Sequence, residues 1–576
     1  MTMKSRLNNH AAILAAALAA AAPHVLHAQE LPYGDVSSGS ADDGDVDDGD
    51  SYAAAAKPKK GKRISVTPYI EASQVVSAEL SPGNDVLTYS ALAAGVEASI
   101  AGRNNQGSLS VRYERRFGYG KKVSDNDTLS GVGRFSTGLV GRALTFEMGA
   151  MAARTSVENN GAVVTGNEYG DSITQVWSGY AGPSLQTHVG NVAVDAHYRF
   201  GYTKVGTPNA VTTNPGQTPV DLFDNSKVHS AQVHAGTRAG DGLPIGIGLG
   251  AGWNRQDVSN LDQRIDDKNV RLDAALPLGN DLSVVAGVGY EKTQVSSRDA
   301  LRDPITNQPI IGTNGRMVTD PTAPRVLAMD TSGLIWDAGV MWRPSKRTAL
   351  EAHVGRRYGS TSYYGSFAYA PSNRMQINVS VYDRINSLGG QMSDSLSALP
   401  TEFNAIRNPL NGDLGGCVSG TANGAQGQSN CFGGALAGLR SAVFRDRGVQ
   451  ASLGVSGRAL QYGVAAGYDR RKFIAAPGTV LATANGTVDE NVWVAAYLNG
   501  RIDRNSSFGT NVWANWYQSG DATAGNMNAY GATASYYRNI TRGLSATAAV
   551  GINGVNRETL DDVLSAQAMA GVRYSF

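Results

Sequence analysis

The chain has 576 residues and a formal net charge of +1, so no overall field favours a nucleic acid as its partner. After the N-terminal segment, no apolar run is long enough to cross a membrane as a helix. Glycine contributes 69 residues and charged residues 17%. This moderately polar composition suits a transmembrane β-barrel, in which only one face of each strand meets lipid.

Residues 1–28 have the features of a secretory signal peptide. Lys4 and Arg6 form a basic start, an alanine-rich apolar run follows, and Ala28 precedes a plausible cleavage site. The apolar run is too short to span a bilayer. We therefore expect the chain to be exported.

Residues 29–62 predict a disordered tail. Seven aspartates stand between Asp35 and Asp50 without a basic residue, and a short basic run begins at Lys57. A segment of this composition cannot bury enough apolar surface to offset the entropy of ordering it. We expect the tail to lie in the periplasm.

Residues 63–576 alternate between apolar and polar side chains, which predicts an all-β domain. We predict about 22 strands of an antiparallel, up-and-down transmembrane barrel. They begin near Ile64, Val86, Ser108, Leu129, Leu144, Ile173, Val192, Val228, Ile245, Asn269, Leu282, Gly333, Ala349, Tyr363, Met375, Val443, Leu460, Val492, Phe508, Asn528, Leu544 and Ser565.

The connections between these strands distinguish a membrane barrel from a soluble sandwich. Every second connection is short, and the intervening ones include all the long loops: 158–171, 206–226, 297–330, 386–441 and 472–490. Outer-membrane barrels have short periplasmic turns that alternate with longer outer loops. The pattern therefore predicts an outer-membrane barrel of a Gram-negative bacterium.

The last strand carries a candidate assembly signal. Its apolar face ends in Tyr574 and Phe576. This closing stretch resembles the terminal strand of bacterial outer-membrane barrels, which ends in Phe after an aromatic residue two positions earlier. The resemblance implies recognition by the barrel-assembly machinery, and insertion beside outer-membrane lipid and lipopolysaccharide.

The faces opposite the apolar ones carry mixed charge. In a barrel these side chains face the lumen, where they either set solute selectivity or pair with one another to stabilise a wide polar interior. The candidates are Arg112, Glu114, Asp195, His197, Arg199, Asp337, Glu351, His353, Arg357, Asp469 and Arg573.

Two long loops are candidates for narrowing the lumen. Residues 297–330 contain four prolines, and residues 386–441 contain a predicted short helix, Ser393 to Phe403. We expect one or both to fold inward as a constriction or lid; the alternative is surface decoration. Cys417 and Cys431 lie in the second loop, and we expect a disulfide between them because an exported chain meets an oxidising compartment.

No motif predicts chemistry. The histidines at 197 and 353 have no second ligand at a recognised metal spacing, and no Gly-x-Ser-x-Gly motif stands in a strand-turn-helix setting. We therefore predict no catalytic residues, no metal and no cofactor.

A 22-strand barrel is typical of TonB-dependent transporters, but only about 35 residues precede the first strand, too few for their plug domain. The chain instead resembles the β-barrel porins of proteobacteria, some of which are associated with exopolysaccharide genes. The resemblance is clearest in residues 350–371 and in Tyr468-Asp469-Arg470-Arg471-Lys472-Phe473. Similar chains sometimes carry the label of the preprotein translocase subunit YajC, a short single-helix protein that this sequence does not resemble.

These features predict a loop-narrowed channel for a polar solute. The alternatives are a conduit for exopolysaccharide export and a sealed structural or adhesive surface barrel. An outer-membrane lipid hydrolase lacks a motif.

Overall fold

The computed structural model describes residues 63–119, 126–141, 143–157, 163–164, 173–206, 221–240, 242–372, 374–420, 429–431, 438–521 and 525–576. The predicted signal peptide and acidic tail lie outside these residues.

Twenty-two antiparallel strands form a closed ring, which confirms the predicted fold class. The ring strands are β1 (Arg63–Ser81), β2 (Val86–Ala101), β3 (Asn105–Tyr119), β4 (Asn126–Val140), β5 (Leu144–Val157), β7 (Ile173–Val189), β8 (Val192–Val205), β9 (Asn225–Thr237), β10 (Gly246–Val258), β11 (Gln263–Pro277), β12 (Leu282–Ser297), β13 (Val326–Ser345), β14 (Thr348–Arg357), β15 (Ser360–Ser372), β16 (Met375–Asn386), β20 (Phe444–Ser456), β21 (Leu460–Phe473), β22 (Val488–Arg501), β23 (Ser506–Gln518), β24 (Met527–Asn539), β25 (Leu544–Arg557) and β26 (Val563–Ser575). Outside the ring, β6 (Val163–Val164) pairs with β5, and β17 (Phe403–Arg407), β18 (Leu414–Gly420) and β19 (Ser429–Cys431) form a small separate sheet.

The first and last strands close the ring. Strands β1 and β26 pair in antiparallel register, with Glu71 opposite Arg573 and Ser73 opposite Gly571. All the remaining pairs in the ring join two ring strands that follow one another along the chain. A closed barrel leaves no free sheet edge, which is what a strand structure in a membrane requires.

Each predicted strand corresponds to one ring strand. The largest offsets are at β11, predicted from Asn269 and observed from Gln263, and at β13, predicted from Gly333 and observed from Val326. Both strands begin nearer the long-loop rim than predicted. The outward face there carries polar residues such as Asp266, so the apolar alternation that identifies a strand is lost although the strand continues.

Large apolar side chains on nearly every ring strand point outward and are exposed, as a lipid-facing surface requires. Examples are Ile70, Leu92, Leu109, Leu129, Leu249, Leu272, Val288, Leu334, Val354, Leu498, Val512, Val550 and Val572. Exposed aromatic residues accompany them, among them Tyr198, Tyr202, Tyr290, Trp336, Trp342, Trp516, Tyr536 and Tyr574.

The two rims of the barrel differ. The strand ends that are joined by the connections 158–172, 206–224, 298–325, 387–443 and 474–487 all lie at one rim, here called the long-loop rim. The opposite rim, here called the turn rim, has only short connections between its strands. Strand β1 begins at this rim, and β26 ends there. In the described part of the chain, no helix is long and apolar enough to cross a membrane.

The only α-helix among the described residues, α1 (Leu388–Ser397), lies in the loop between β16 and β20. The predicted helix, Ser393 to Phe403, was placed too late in this loop. The side chain of Ser387 caps the helix N-terminus by accepting a hydrogen bond from the backbone N–H of Gly390. The two glycines that follow this cap disfavour a helix locally, so the sequence pattern conceals its start.

Candidate functional site: the lumen and the inward loop

The connection 387–443, of which 387–420, 429–431 and 438–443 are described, enters the barrel in its described part, and we call it the inward loop. Helix α1 lies against the half of β8 nearer the long-loop rim, where a Cβ atom on Gly201 would lie 2.8 Å from the hydroxyl of Ser393. Further along, the backbone N–H of Phe403 donates to the hydroxyl of Ser108 at 3.0 Å. Because β3 begins at Asn105 on the turn rim, the loop descends almost the full depth of the lumen.

The loop then returns to the long-loop rim. The guanidinium of Arg407 donates to the hydroxyl of Ser110 at 2.8 Å. Along β3, Ser110 lies two residues closer to the long-loop rim than the residue that Phe403 contacts. At the end of the return path, the hydroxyl of Ser441 donates to Asp221 at 2.7 Å, in the connection that follows β8. The predicted inward fold of this loop is therefore what the structure contains.

The descending arm is held mainly by apolar packing. Leu388, Met392, Leu396 and Leu399 are fully buried in one hydrophobic cluster with residues of β4, β5, β7 and β8. Burial of a leucine side chain contributes about 1.5–3 kcal/mol, so this contact is a substantial part of the loop's stability. It makes α1 a fixed element of the lumen.

Polar contacts also fix α1 to the opposite wall. Asp394 pairs with Arg384 of β16 at 2.8 Å. The amide of Gln391 donates to Asp446 of β20 at 3.2 Å and accepts from Arg471 of β21 at 2.9 Å. The helix therefore bridges two sectors of the barrel wall.

The returning arm, residues 403–413, is held by arginine contacts in addition to apolar ones. The guanidinium of Arg407 donates to Ser110 and Ser130 of the wall and to the carbonyl of Gly412 in the loop itself. Arg154 of β5 forms an ion pair with Asp413 at 2.9 Å. We call residues 403–413 the loop tip.

A second contact set joins the long loops at the rim. Asp221 accepts from the side-chain amide of Asn260, the hydroxyl of Ser441 and the backbone N–H of Met317, at 2.7–3.1 Å. Burial raises the pKa of the Asp221 carboxyl, despite these hydrogen bonds. Arg316 donates to the carbonyls of the neighbouring connection, including that of Phe223 at 3.0 Å.

The connection 298–325 forms the second part of this rim structure. It reaches the end of β8 through Arg316, which donates to the carbonyl of Val205 at 3.0 Å. It also reaches the connection after β21, where the backbone N–H of Val480 donates to Asp299 at 2.8 Å. The connection therefore spans the rim as a lid, as predicted for one of the two loops.

Among the predicted lumen residues, Arg112 and Glu114 lie inside the barrel, are buried and pair with each other. Arg112 also pairs with Glu71 at 3.0 Å and donates to the carbonyl of Asn411 in the inward loop at 3.3 Å. Glu114 pairs in addition with Arg116 at 2.6 Å. Arg112 thus contacts both the wall network and the loop.

Asp337, Glu351 and His353 lie together on the inner faces of β13 and β14. The two ring nitrogens of His353 lie 2.9 Å from Asp337 and 3.0 Å from Glu351. Asp337 also pairs with Arg271 of β11, and the ring of Tyr364 stacks on that of His353. Here side chains of opposite charge pair along the wall, which is one of the two alternatives that the sequence leaves open.

The remaining predicted residues are distributed around the ring. Arg357 pairs with Asp267 and Glu291, and Asp469 accepts from Tyr382. Arg573 and Arg199 each lie over a tyrosine ring, those of Tyr69 and Tyr180 respectively, and Asp195 and His197 line the inner face of β8. Solute selectivity by any of these residues stays a prediction.

Sequence reasoning missed most residues that hold the inward loop. They are Arg134, Arg154, Ser110, Ser130, Arg384, Asp446, Arg471, Gln391, Asp394, Arg407 and Asp413. Strand alternation would have placed the wall residues inside the barrel. Arg154 and Ser110 each lie more than 250 positions along the chain from their partner in the loop, so no local sequence pattern indicates these contacts.

The backbone register of the small sheet bears on the predicted disulfide. Strands β18 and β19 pair in antiparallel register with Cys417 directly opposite Cys431. Residues opposite each other on paired strands have Cβ atoms about 4.5–5.5 Å apart, near the separation a disulfide needs. Among the described residues, no group of three or more His, Cys, Asp or Glu has an arrangement suited to a metal ion.

Comparisons with known proteins identify structural neighbours but no family. No protein-family model matches the chain, and no curated protein matches it. Among solved structures, it is similar to the FrpB iron transporter from Neisseria meningitidis (F5-1 variant), with 12% identity over 88% of this chain and 82% of that chain and a TM-score of 0.42. It is also similar to the siderophore receptor PiuA from Acinetobacter baumannii, with 8% identity, the same coverage and a TM-score of 0.40. Similarities at these levels identify neither a family nor a function for this chain.

Proposed function

We propose that this protein is an outer-membrane barrel of a Gram-negative bacterium through which a polar solute passes when the inward loop moves. The observation that carries the proposal is the path of that loop, which descends from the long-loop rim to Ser108 near the turn rim and returns. A barrel of this size has a wide lumen, and an element that crosses its full depth controls what passes.

The two arms of the loop suggest how the lumen opens. Helix α1 is held by a hydrophobic cluster and by contacts to three strands, so it stays in place. The loop tip depends on Arg407 and on the ion pair between Arg154 and Asp413. Movement of residues 403–413 away from β3–β5 widens the lumen without unfolding α1.

In this proposal the location of the protein and its surroundings are those that the sequence predicts. Residues 29–62 lie in the periplasm, and the exposed outward face meets outer-membrane lipid and lipopolysaccharide. Tyr574 and Phe576 form the signal for the barrel-assembly machinery, and a disulfide joins Cys417 to Cys431. The protein acts without chemistry and belongs with the proteobacterial barrel porins that it resembles.

Single-channel conductance in planar bilayers tests the proposal. Arg407→Ala removes the hydrogen bonds to Ser110 and Ser130, so we expect larger or more frequent openings than in the wild type. Arg458→Ala changes an exposed arginine in the turn between β20 and β21 and serves as the control. Silence in all three proteins, with the barrel intact by heat-modifiable gel migration, would contradict passage and leave a sealed structural barrel.

A further inference from the structure

One sector of the inner wall lacks charge along the middle of its strands, between Asp489 of β22 at the long-loop end and Arg573 of β26 at the turn end. The inward positions of β22–β26 within 491–499, 507–517, 527–537, 545–555 and 563–571 are all described, and none of them is Asp, Glu, Lys, Arg or His. Asn, Gln, Ser, Thr, Trp and Tyr occupy most of these positions, and Gly, Ala, Val and Met fill the rest. We call this sector the neutral wall. Elsewhere the inner face carries ion pairs such as Arg112–Glu114 and Asp337–His353.

Three aromatic rings of the neutral wall lie over glycines of the adjacent strand. The pairs are Trp493 over Gly467, Trp513 over Gly531, and Tyr497 over Gly463. A Cβ atom on Gly467 would lie 2.6 Å from the indole nitrogen of Trp493, so only glycine leaves room for the ring. Each ring therefore lies along the wall instead of across the lumen. Trp493 and Tyr497 are buried, at 6% and 8% exposed, whereas Trp513 is half-buried and is partly open to the interior.

Several amide and hydroxyl groups of the neutral wall have no hydrogen-bond partner within the described structure. Both side-chain amide atoms of Asn491 and of Gln567, which are 3% and 4% exposed, make no hydrogen bond within the described structure. The same holds for the hydroxyl of Thr533 and the amide oxygen of Asn515. Buried polar groups are normally hydrogen-bonded, so a group that both donates and accepts is missing here.

The loop tip touches this wall. A Cβ atom on Gly551 of β25 would lie 2.5 Å from a methyl group of Leu410. Leu410 packs there in a cluster with Met569 of β26 and Ala549 of β25. Asn511, Trp513 and Asn515 of β23 are half-buried, so that part of the wall is open already, and withdrawal of the tip uncovers more of it.

We propose that the neutral wall binds a neutral saccharide chain as it passes through the lumen. Sugar hydroxyls donate and accept hydrogen bonds, as the amides of Asn491 and Gln567 require. The apolar C–H face of a pyranose packs on an aromatic ring, and the half-buried Trp513 offers such a ring. A wall without charge gives no advantage to an ionic solute. This proposal rests on the proposed passage and specifies the chemical class of the solute that passes.

Current block by a saccharide tests this site in the conducting Arg407→Ala protein. Maltohexaose is added to the bilayer chamber, with oligogalacturonate of the same length as the charged comparison. We expect maltohexaose to block the current and oligogalacturonate to block it at least about tenfold more weakly. Trp513→Ala should raise the half-blocking concentration about tenfold, the effect of losing one aromatic contact. Trp516→Ala, on the lipid-facing side of the same strand, should leave it unchanged.

The outcomes separate the two proposals. A conducting protein that maltohexaose does not block, or blocks equally in Trp513→Ala, overturns the saccharide site and leaves passage intact. If no variant conducts, the proposed passage fails, and calorimetric titration of the purified wild-type and Trp513→Ala proteins with maltohexaose decides the binding site. Heat of binding that Trp513→Ala removes supports the site, and its absence overturns it.

Discussion

The guanidinium of Arg154 on barrel strand β5 lies 2.9 Å from the carboxylate of Asp413 in the inward loop. The two side chains are 5% and 13% exposed, so the pair is largely shielded from water. Loss of one partner of a buried pair costs about 3–5 kcal/mol, because it leaves an uncompensated charge. The pair therefore fixes the returning arm of the loop to the wall, at a point three residues from the long-loop end of β5.

Asp413→Asn should release the loop tip. Removal of the carboxylate leaves Arg154 without its charged loop partner, and we expect the open probability of the channel to rise at least about tenfold. Asp281→Asn, the same change at an exposed turn, serves as the control. The exchange Arg154→Asp with Asp413→Arg should bring the open probability back toward the wild-type value. An unchanged open probability in Asp413→Asn would show that the pair does not hold the tip.

The lid should close more tightly as the pH falls. Burial raises the pKa of Asp221 in the closed lid, so the closed lid binds a proton more tightly than the open one. The resulting stabilisation is full below the ordinary aspartate pKa of about 3.9 and is lost as the pH rises through the raised value. Hydrogen exchange at the backbone N–H of Met317, corrected for the intrinsic rate, should therefore slow between pH 7 and about 4.

Two variants isolate Asp221 as the source of this pH dependence. Asp221→Asn should abolish it, because the amide does not titrate. Asp303→Asn, at a half-buried position in the same lid, should leave the pH dependence in place. Hydrogen bonds from Thr306 and Ile305 lower the pKa of Asp303, so its titration is not the source of a lid that tightens as the pH falls. Protection that increases with pH in the wild type would be the opposite of what a raised pKa requires.

The proposed disulfide between Cys417 and Cys431 should stabilise the inward loop. Closing a loop of this length contributes about 3 kcal/mol by restricting the unfolded chain. Mass spectrometry of the protein under non-reducing conditions, with alkylation, should find no free thiol. Reduction, or the double change of both cysteines to serine, should then raise the rate at which a protease cleaves the loop. Two alkylated thiols in the unreduced protein would rule the bond out.

Loss of the C-terminal aromatic pair should impair assembly more than stability. The rings of Tyr574 and Phe576 meet edge to face with centroids 5.0 Å apart, and Phe576 is 68% exposed on the outside of the barrel. An exposed ring contributes little to packing, so Phe576→Ala should cut the yield of assembled barrel while the barrel that does form unfolds at nearly the wild-type temperature. Leu460→Ala, which shortens an exposed apolar side chain at the turn rim, is the control. A normal yield in cells would argue against the signal.

The ring of strands could be predicted from the sequence, because each strand carries its own two-residue alternation between lipid and lumen. The alternation of short and long connections gave the direction of each strand. The ends of β11 and β13 were less predictable, since beyond the lipid belt an outward residue such as Asp266 is as acceptable as an apolar one. The same alternation predicted that the side chains of Arg112, Glu114 and His353 lie on the inner face of the wall.

The path of the inward loop could not be predicted from the sequence. It depends on contacts between residues far apart in the chain, such as Phe403 with Ser108, which are separated by 295 positions. The helix was misplaced for a local reason, because Gly389 and Gly390 follow the cap at Ser387. The helical conformation there is imposed by Leu388 and Met392 packing on the wall, a tertiary effect that outweighs local propensity.

Replacement of the inward loop tests whether this loop controls passage through the lumen. Asn386 and Phe444 lie opposite each other in the β16–β20 pair, so a two-residue Asn-Gly turn can join the strands in place of residues 387–443. Single-channel conductance of this protein is compared with that of the wild type, after gel migration has shown both barrels to be intact. The loop-filled lumen predicts low conductance in the wild type and a several-fold larger, steadily open conductance after replacement. Equal conductance in the two proteins would contradict the claim that the inward loop controls passage.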